Sequence, residues 1–168
     1  MPHVTDFIDP TSVMLFKLVL AMLLGGVIGT ERAVIARQSA GTRTFGLVAL
    51  GACLFVITSN YVNSAFMGSM AVLPLAVPAA IVTGIGFLGG GLIIFRADAL
   101  HGVTTAAGLW LVAALGVSIG FGMYAVSIFT TILALIMFTG MWYIENRFKH
   151  WFIVHNGDTH EPETAKAH

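Results

Sequence analysis

The chain has 168 residues, of which 57% are hydrophobic and 10% charged, with eight basic and eight acidic side chains giving zero formal charge. Its mean hydropathy is +0.90. Soluble domains carry about 25% charged residues, so this composition excludes a water-soluble domain and specifies an integral membrane protein, with no charge excess to attract nucleic acid.

The opening stretch MPHVTDFIDPTS lacks Lys and Arg, and with them the basic region of a cleavable signal peptide. Pro10, Thr11 and Ser12 read as the lead-in and cap of a first helix. A span needs roughly 20 mostly apolar residues, and five candidates follow at 13–29, 44–62, 73–95, 104–120 and 122–144. The expected fold is therefore an all-α bundle of about five transmembrane helices. Residues 1–12 form an external segment, 13–144 the membrane domain and 145–168 a cytosolic interfacial tail.

Orientation follows from the basic residues of the short loops. Arg32, Arg37, Arg43, Arg96, Arg147, Lys149 and Lys166 all fall on one side, while the opposite side has none and carries Asp6 and Asp9. That places the N-terminus outside and the C-terminus in the cytosol. Lys17, one turn inside the first span, reads as a side chain that snorkels to the headgroups. Trp142 and Tyr143 mark an inner aromatic belt, and Phe148, Trp151 and Phe152 continue along the membrane surface. The lone Cys53 excludes an intramolecular disulfide and reads as a small buried hydrophobe.

Residues 84–91, GIGFLGGG, fit the dinucleotide pattern G-x-G-x-x-G. That pattern has meaning only between a strand and a helix of a βαβ unit. Here it lies within a span, so the nucleotide reading fails. Small residues four apart let membrane helices approach closely. Gly86 and Gly90, Gly25 and Gly29, and Gly116 and Gly120 have that spacing, with Gly84 beside them. Close packing is the favoured reading; a helix broken at Gly89-Gly90-Gly91 around something polar is the other.

A weak repeat joins two hairpins. Gly25-Gly26-Val27-Ile28, then Gly41-Thr42-Arg43-Thr44 and LVALG, match Gly90-Gly91-Leu92-Ile93, then Gly102-Val103-Thr104-Thr105 and LVAALG. In both, a glycine and threonines open a helix at the cytosolic face, where Thr side chains have free N–H groups to cap. Glu31, Arg32, Arg37, Arg43, Thr44, Arg96, Asp98, Thr104 and Thr105 share that depth. They either pair internally, Glu31 with Arg43 and Asp98 with Arg96, or hold an anion at the helix ends. Internal pairing is the favoured expectation. Mg²⁺ takes oxygen ligands, and only Glu31 and Asp98 offer carboxylates near the membrane. The tail histidines His150, His155 and His160 are spaced to scatter around a helix. No metal site, cofactor or catalytic constellation is expected.

GGVIGTER at 25–32, AGTRTFGLVALGACLF at 40–55, GIGFLGGGLI at 84–93 and GVTTAAGLW at 102–110 resemble the membrane domain of the MgtC/SapB family. The resemblance implies a bacterial inner-membrane protein of about five spans, linked to growth in low magnesium and to survival in macrophages, and acting on the ATP synthase rather than carrying Mg²⁺. The family motif residues Glu31, Arg32, Arg43, Thr44, Thr104, Thr105 and Trp110 are present, with Trp110 expected in helix packing. Pro74 alone remains of a family Asp-Pro, Arg and Gln set, with Leu73, Ala76 and Ala80 at the other positions. Phe45 stands where the family often has histidine, and many members continue into a soluble domain. The expected function is a non-enzymatic regulator of another membrane complex, with a small Mg²⁺ or anion transporter as the alternative. Its expected partners are lipids, that complex and a second copy of itself.

Overall fold

The computed structural model describes residues 10–35, 40–64, 75–96, 99–141, 143–144 and 147. It contains five apolar helices: α1 (Pro10–Val34), α2 (Thr42–Val62), α3 (Ala76–Leu92), α4 (Val103–Gly120) and α5 (Tyr124–Leu135), the last running into a π-helical turn, Ile136–Gly140. The first, second and fourth are long and apolar enough to cross a membrane. The other two are shorter, and α3 has 17 residues, or about 26 Å at 1.5 Å per residue against a hydrocarbon core of about 30 Å.

Helix α1 outruns its expected span at both ends. Pro10 is its first residue rather than a lead-in, a position where the missing N–H is harmless and the fixed φ is already helical. At the far end no Gly or Pro interrupts Thr30–Val34, and the Thr30 hydroxyl returns to the Gly26 carbonyl at 2.8 Å. One face of α1 buries Ala21, Gly25, Ile28, Gly29 and Arg32, three to four residues apart. That face lies along Phe45 and Ala49 of α2, and the pair forms the tightest hairpin of the molecule.

Helix α4 is central and packs on all four other helices. Half of it is buried, including Leu109, Val112, Ala113, Gly116 and Ile119. Lipid-exposed positions are apolar as well, with Phe87 84% and Phe55 64% exposed. An apolar exterior of this kind is stable only in lipid, and it explains the scarcity of charge. Cys53 is fully buried, as a small hydrophobe should be.

The loop after α3 departs from the all-helical expectation. Expected to run to residue 95, α3 stops at Leu92, and Ile94–Arg96 (β1) pairs antiparallel with Ala99–His101 (β2). Ile94 and Phe95 are residue types that favour strands. Gly102 closes the ribbon at φ +88, and a Cβ there would collide with the Leu92 carbonyl oxygen. Only glycine tolerates both demands.

Candidate functional site at the end of the first helix

Helix α1 ends where α2 and α4 begin, and there the chain buries charge. Glu31 is 7% exposed and Arg32 5%, with Thr105 of α4 also buried. Because α1 is helical through Val34, residues 31 and 32 continue the inward stripe that holds Ile28 instead of entering a loop. The Arg32 guanidinium lies 4.8 Å from the ring centroid of Phe138, in the π-helical turn. A desolvated cation–π contact of this type contributes about 2 kcal/mol. Phe45 is fully buried beside it, and Gly108 makes room for both rings. A Cβ on Gly108 would lie 2.9 Å from Phe45 and 3.3 Å from Phe138.

The expected pair of Glu31 with Arg43 does not form. Among the described residues, both Glu31 carboxylate oxygens and the Arg32 Nε are buried without a hydrogen-bond partner, and Arg43 is exposed. The reason is helical rotation: Arg43 and Phe45 sit about 200° apart around α2, and Phe45 faces the core. The same geometry exposes Thr44 and Thr104 and buries Thr105. Arg37, Asp98 and the side chain of Arg96 lie outside the described residues, as do Trp142, the first nine residues and the tail histidines.

The two helices open on Gly41 and Gly102, which have no side chain with which to cap. Thr42 instead meets Thr30, hydroxyl to hydroxyl at 2.9 Å, which ties the end of α1 to the start of α2. Among the described residues no group of three or more His, Cys, Asp or Glu is gathered in a way that would hold a metal ion.

The glycines divide into two sets. Cβ atoms added at Gly25, Gly29 and Gly120 would meet the facing helix at 2.7 Å, and one at Gly116 would strike the Ala49 carbonyl oxygen. Gly84, Gly86 and Gly90 have nothing within 4 Å. Among the described residues they pack against no facing helix, contrary to expectation. Of that stretch Gly89 makes the contact, at 3.5 Å from Ala106, and α3 is unbroken through all three of Gly89, Gly90 and Gly91. Trp110 is 51% exposed on the outside of α4 rather than packed between helices.

Sequence reasoning missed three contributors. Phe138 and Gly108 carry no local signal, since an aromatic and a glycine in an apolar helix are ordinary. Lys17, at the other end of the bundle, has a partner that the sequence did not show: its Nζ donates to the Gly120 carbonyl at 2.9 Å, placing a cation at the negative end of α4. Its position opposite the end of α4 was the only available cue.

A sequence model of the MgtC family matches residues 18–147. The chain is 36% identical over 129 residues to "Putative magnesium transporter YhiD" of Escherichia coli K12, covering 76% of this chain and 60% of that protein. It is 39% identical over 135 residues to "Protein SrpB" of Synechococcus elongatus, covering 74% and 72%. With "Protein MgtC" of Salmonella typhimurium LT2 it shares 40% over 121 residues, covering 72% and 49%. Across these relatives the chain thus spans from about half to under three quarters of their length. No solved structure matches it. A family match over residues 18–147, on a five-helix apolar bundle, places this chain in the MgtC family.

Proposed function

We propose that the protein is a non-enzymatic regulator in the bacterial inner membrane, acting by lateral contact on another membrane complex of the ATP-synthase kind when magnesium is scarce or the cell is under intracellular stress. The observation that carries this reading is the dryness of the bundle. A conduit needs polar groups lining a path through the middle of the bilayer. Here Gly25, Gly29, Gly116 and Gly120 bring α2 to within van der Waals reach of α1 and α4. Hydroxyls of α5 are consumed locally: near the α4–α5 turn Ser127 divides its proton between the Met123 carbonyl at 2.9 Å and Ser118 at 3.0 Å, and deeper in the helix Thr131 donates to the Ser127 carbonyl at 2.8 Å. On this reading the protein acts as a homo-oligomer, the dimer being the favoured form. The glycine face of α3, left uncovered within one chain, supports that part of the reading.

The transporter reading has one observation in its favour, the buried and unpartnered Glu31 carboxylate, together with the name of the Escherichia coli relative. Two assays separate the readings. Inverted membrane vesicles containing the protein should show weaker ATP-driven proton pumping than vesicles without it. Liposomes holding purified protein and a Mg²⁺-sensitive dye should admit no more Mg²⁺ than empty ones. Unchanged pumping together with protein-dependent Mg²⁺ entry would replace the regulator by the transporter.

A further inference from the structure

A groove of about 560 Å³ runs down the lipid-facing side of the α1–α2 hairpin. It exists because Gly26 of α1 and Gly46 of α2 meet without side chains, leaving Met22, Leu23, Val27 and Leu47 as walls. Thr30 and Thr42 lie toward one end. Thr30 gives its only hydroxyl proton to the Gly26 carbonyl, so in the Thr30–Thr42 contact Thr42 is the donor. Both protons are spent, and the walls offer an occupant no hydroxyl donor. Arg43 lies at that same end, exposed. Among the described residues the one carboxylate is Glu31, and neither of its oxygens has a partner.

The groove extends along α1 from Thr30 to Met22, or about 12 Å at 1.5 Å per residue. Its length is that of the upper part of an acyl chain. Helix α2 has 21 residues and is about as long as the hydrocarbon core is thick, so Arg43, its second residue, sits at headgroup depth. An apolar channel whose one charged lining residue is the exposed Arg43 at the membrane surface, with no partner for it among the described residues, matches a single molecule. We propose that the α1–α2 groove binds an anionic phospholipid, its acyl chain lying against Gly26 and Gly46 and its phosphate on Arg43.

A second copy of the chain fits this face less well. Two copies inserted the same way and related by a twofold axis present the same patch to each other. That would bring two Arg43 side chains together at one depth, where like charges repel. A phosphate brings the opposite charge instead.

Native mass spectrometry of the detergent-purified protein, titrated with phosphatidylglycerol or with phosphatidylcholine of the same acyl chains, tests the assignment. The wild type should retain phosphatidylglycerol in preference. Arg43→Gln, an exposed change, should weaken phosphatidylglycerol binding about tenfold and abolish the preference, while Arg43→Lys should keep most of it. Gly26→Leu should displace both lipids, because a Cβ there has ordinary clearance, 3.7 Å from Thr42, and the rest of the side chain enters the groove. Equal retention of the two lipids by the wild type, or unchanged phosphatidylglycerol binding by Arg43→Gln, would overturn the proposal. Conversion of a dimer to a monomer by Gly26→Leu would also overturn it, by assigning the groove to a second copy.

Discussion

The two hairpins share a sequence pattern and differ in how tightly they close. In the first, Gly25 lies against Ala49 and Phe45, and Gly29 against Phe45, Gly41 and Thr42. In the second, Gly90 stands where the first has Gly25, and faces open space. The position equivalent to Phe45 is Ala106, whose partner is Gly89 at an ordinary 3.5 Å. The same glycine-rich text therefore makes a sealed joint once and a loose one once. A glycine permits close approach; what decides is whether the facing helix brings bulk to the gap. The first hairpin and α4 form the frame, and α3 leans mainly on α4.

The largest expected effect is at the sealed joints. Gly116→Ala and Gly25→Ala each drive a methyl group into a facing backbone carbonyl, which cannot rotate away as a side chain can. Overpacking typically costs about 1–3 kcal/mol, and these substitutions belong at or beyond the upper end. Thermal unfolding in detergent should show a large loss or no folded protein at all. Wild-type melting for both would remove the contrast between the hairpins.

The second hairpin has one point as demanding as these. Gly102→Ala should cost about 1–3 kcal/mol for a non-glycine residue at φ +88, before any clash with Leu92 is added. A normal melting temperature there would mean that the β1–β2 ribbon is not what holds α3 to α4.

The Arg32 contact ties the frame to the π-helical turn after α5. Arg32→Gln or Phe138→Ala should each lower stability by about 2 kcal/mol, and the double variant should lose little more than either alone. Full additivity would show that the two side chains do not act through each other. Glu31→Gln should be mild, because its oxygens have no hydrogen-bond partner to lose among the described residues, and exchanging the charges of Glu31 and Arg43 should rescue nothing. A loss of about 3–5 kcal/mol for Glu31→Gln would restore the buried pair.

How much of this was legible in the sequence depended on whether polarity marked a face. Composition and hydropathy were enough for the membrane class and the number of apolar helices. The rotation of each helix was not legible, because helices apolar on every side carry no periodic signal. Glu31 was assigned to a loop because charge follows Gly29, yet nothing at Thr30–Val34 breaks a helix. Its supposed partner Arg43 then fell on the wrong side of α2. The β1–β2 ribbon was hidden by its size, three residues a strand, inside a stretch apolar enough to pass for helix. Four-residue glycine spacing marked α1 and α4 correctly and misled at α3, since spacing says where a second helix would fit and not whether one is there.

The smallest expected effect sits at those α3 glycines. Leucine at Gly86 or Gly90 enters open space, with no atom within 4 Å of the new Cβ, and it removes a residue that is unfavourable in a helix interior by roughly 0.5–1 kcal/mol relative to alanine. In the isolated chain each variant should therefore melt within about half a kcal/mol of wild type, or slightly higher. The measurement is most informative when made twice, on monomer and on any assembled form separated by size. If the monomer is unchanged while the assembled form disappears, these glycines face a second copy and the loose hairpin closes only on assembly. If both forms are unchanged, the α3 face meets lipid alone and the contrast between the hairpins belongs to the single chain. A destabilised monomer would break the comparison itself, because it would require α3 to be packed where the structure leaves it open.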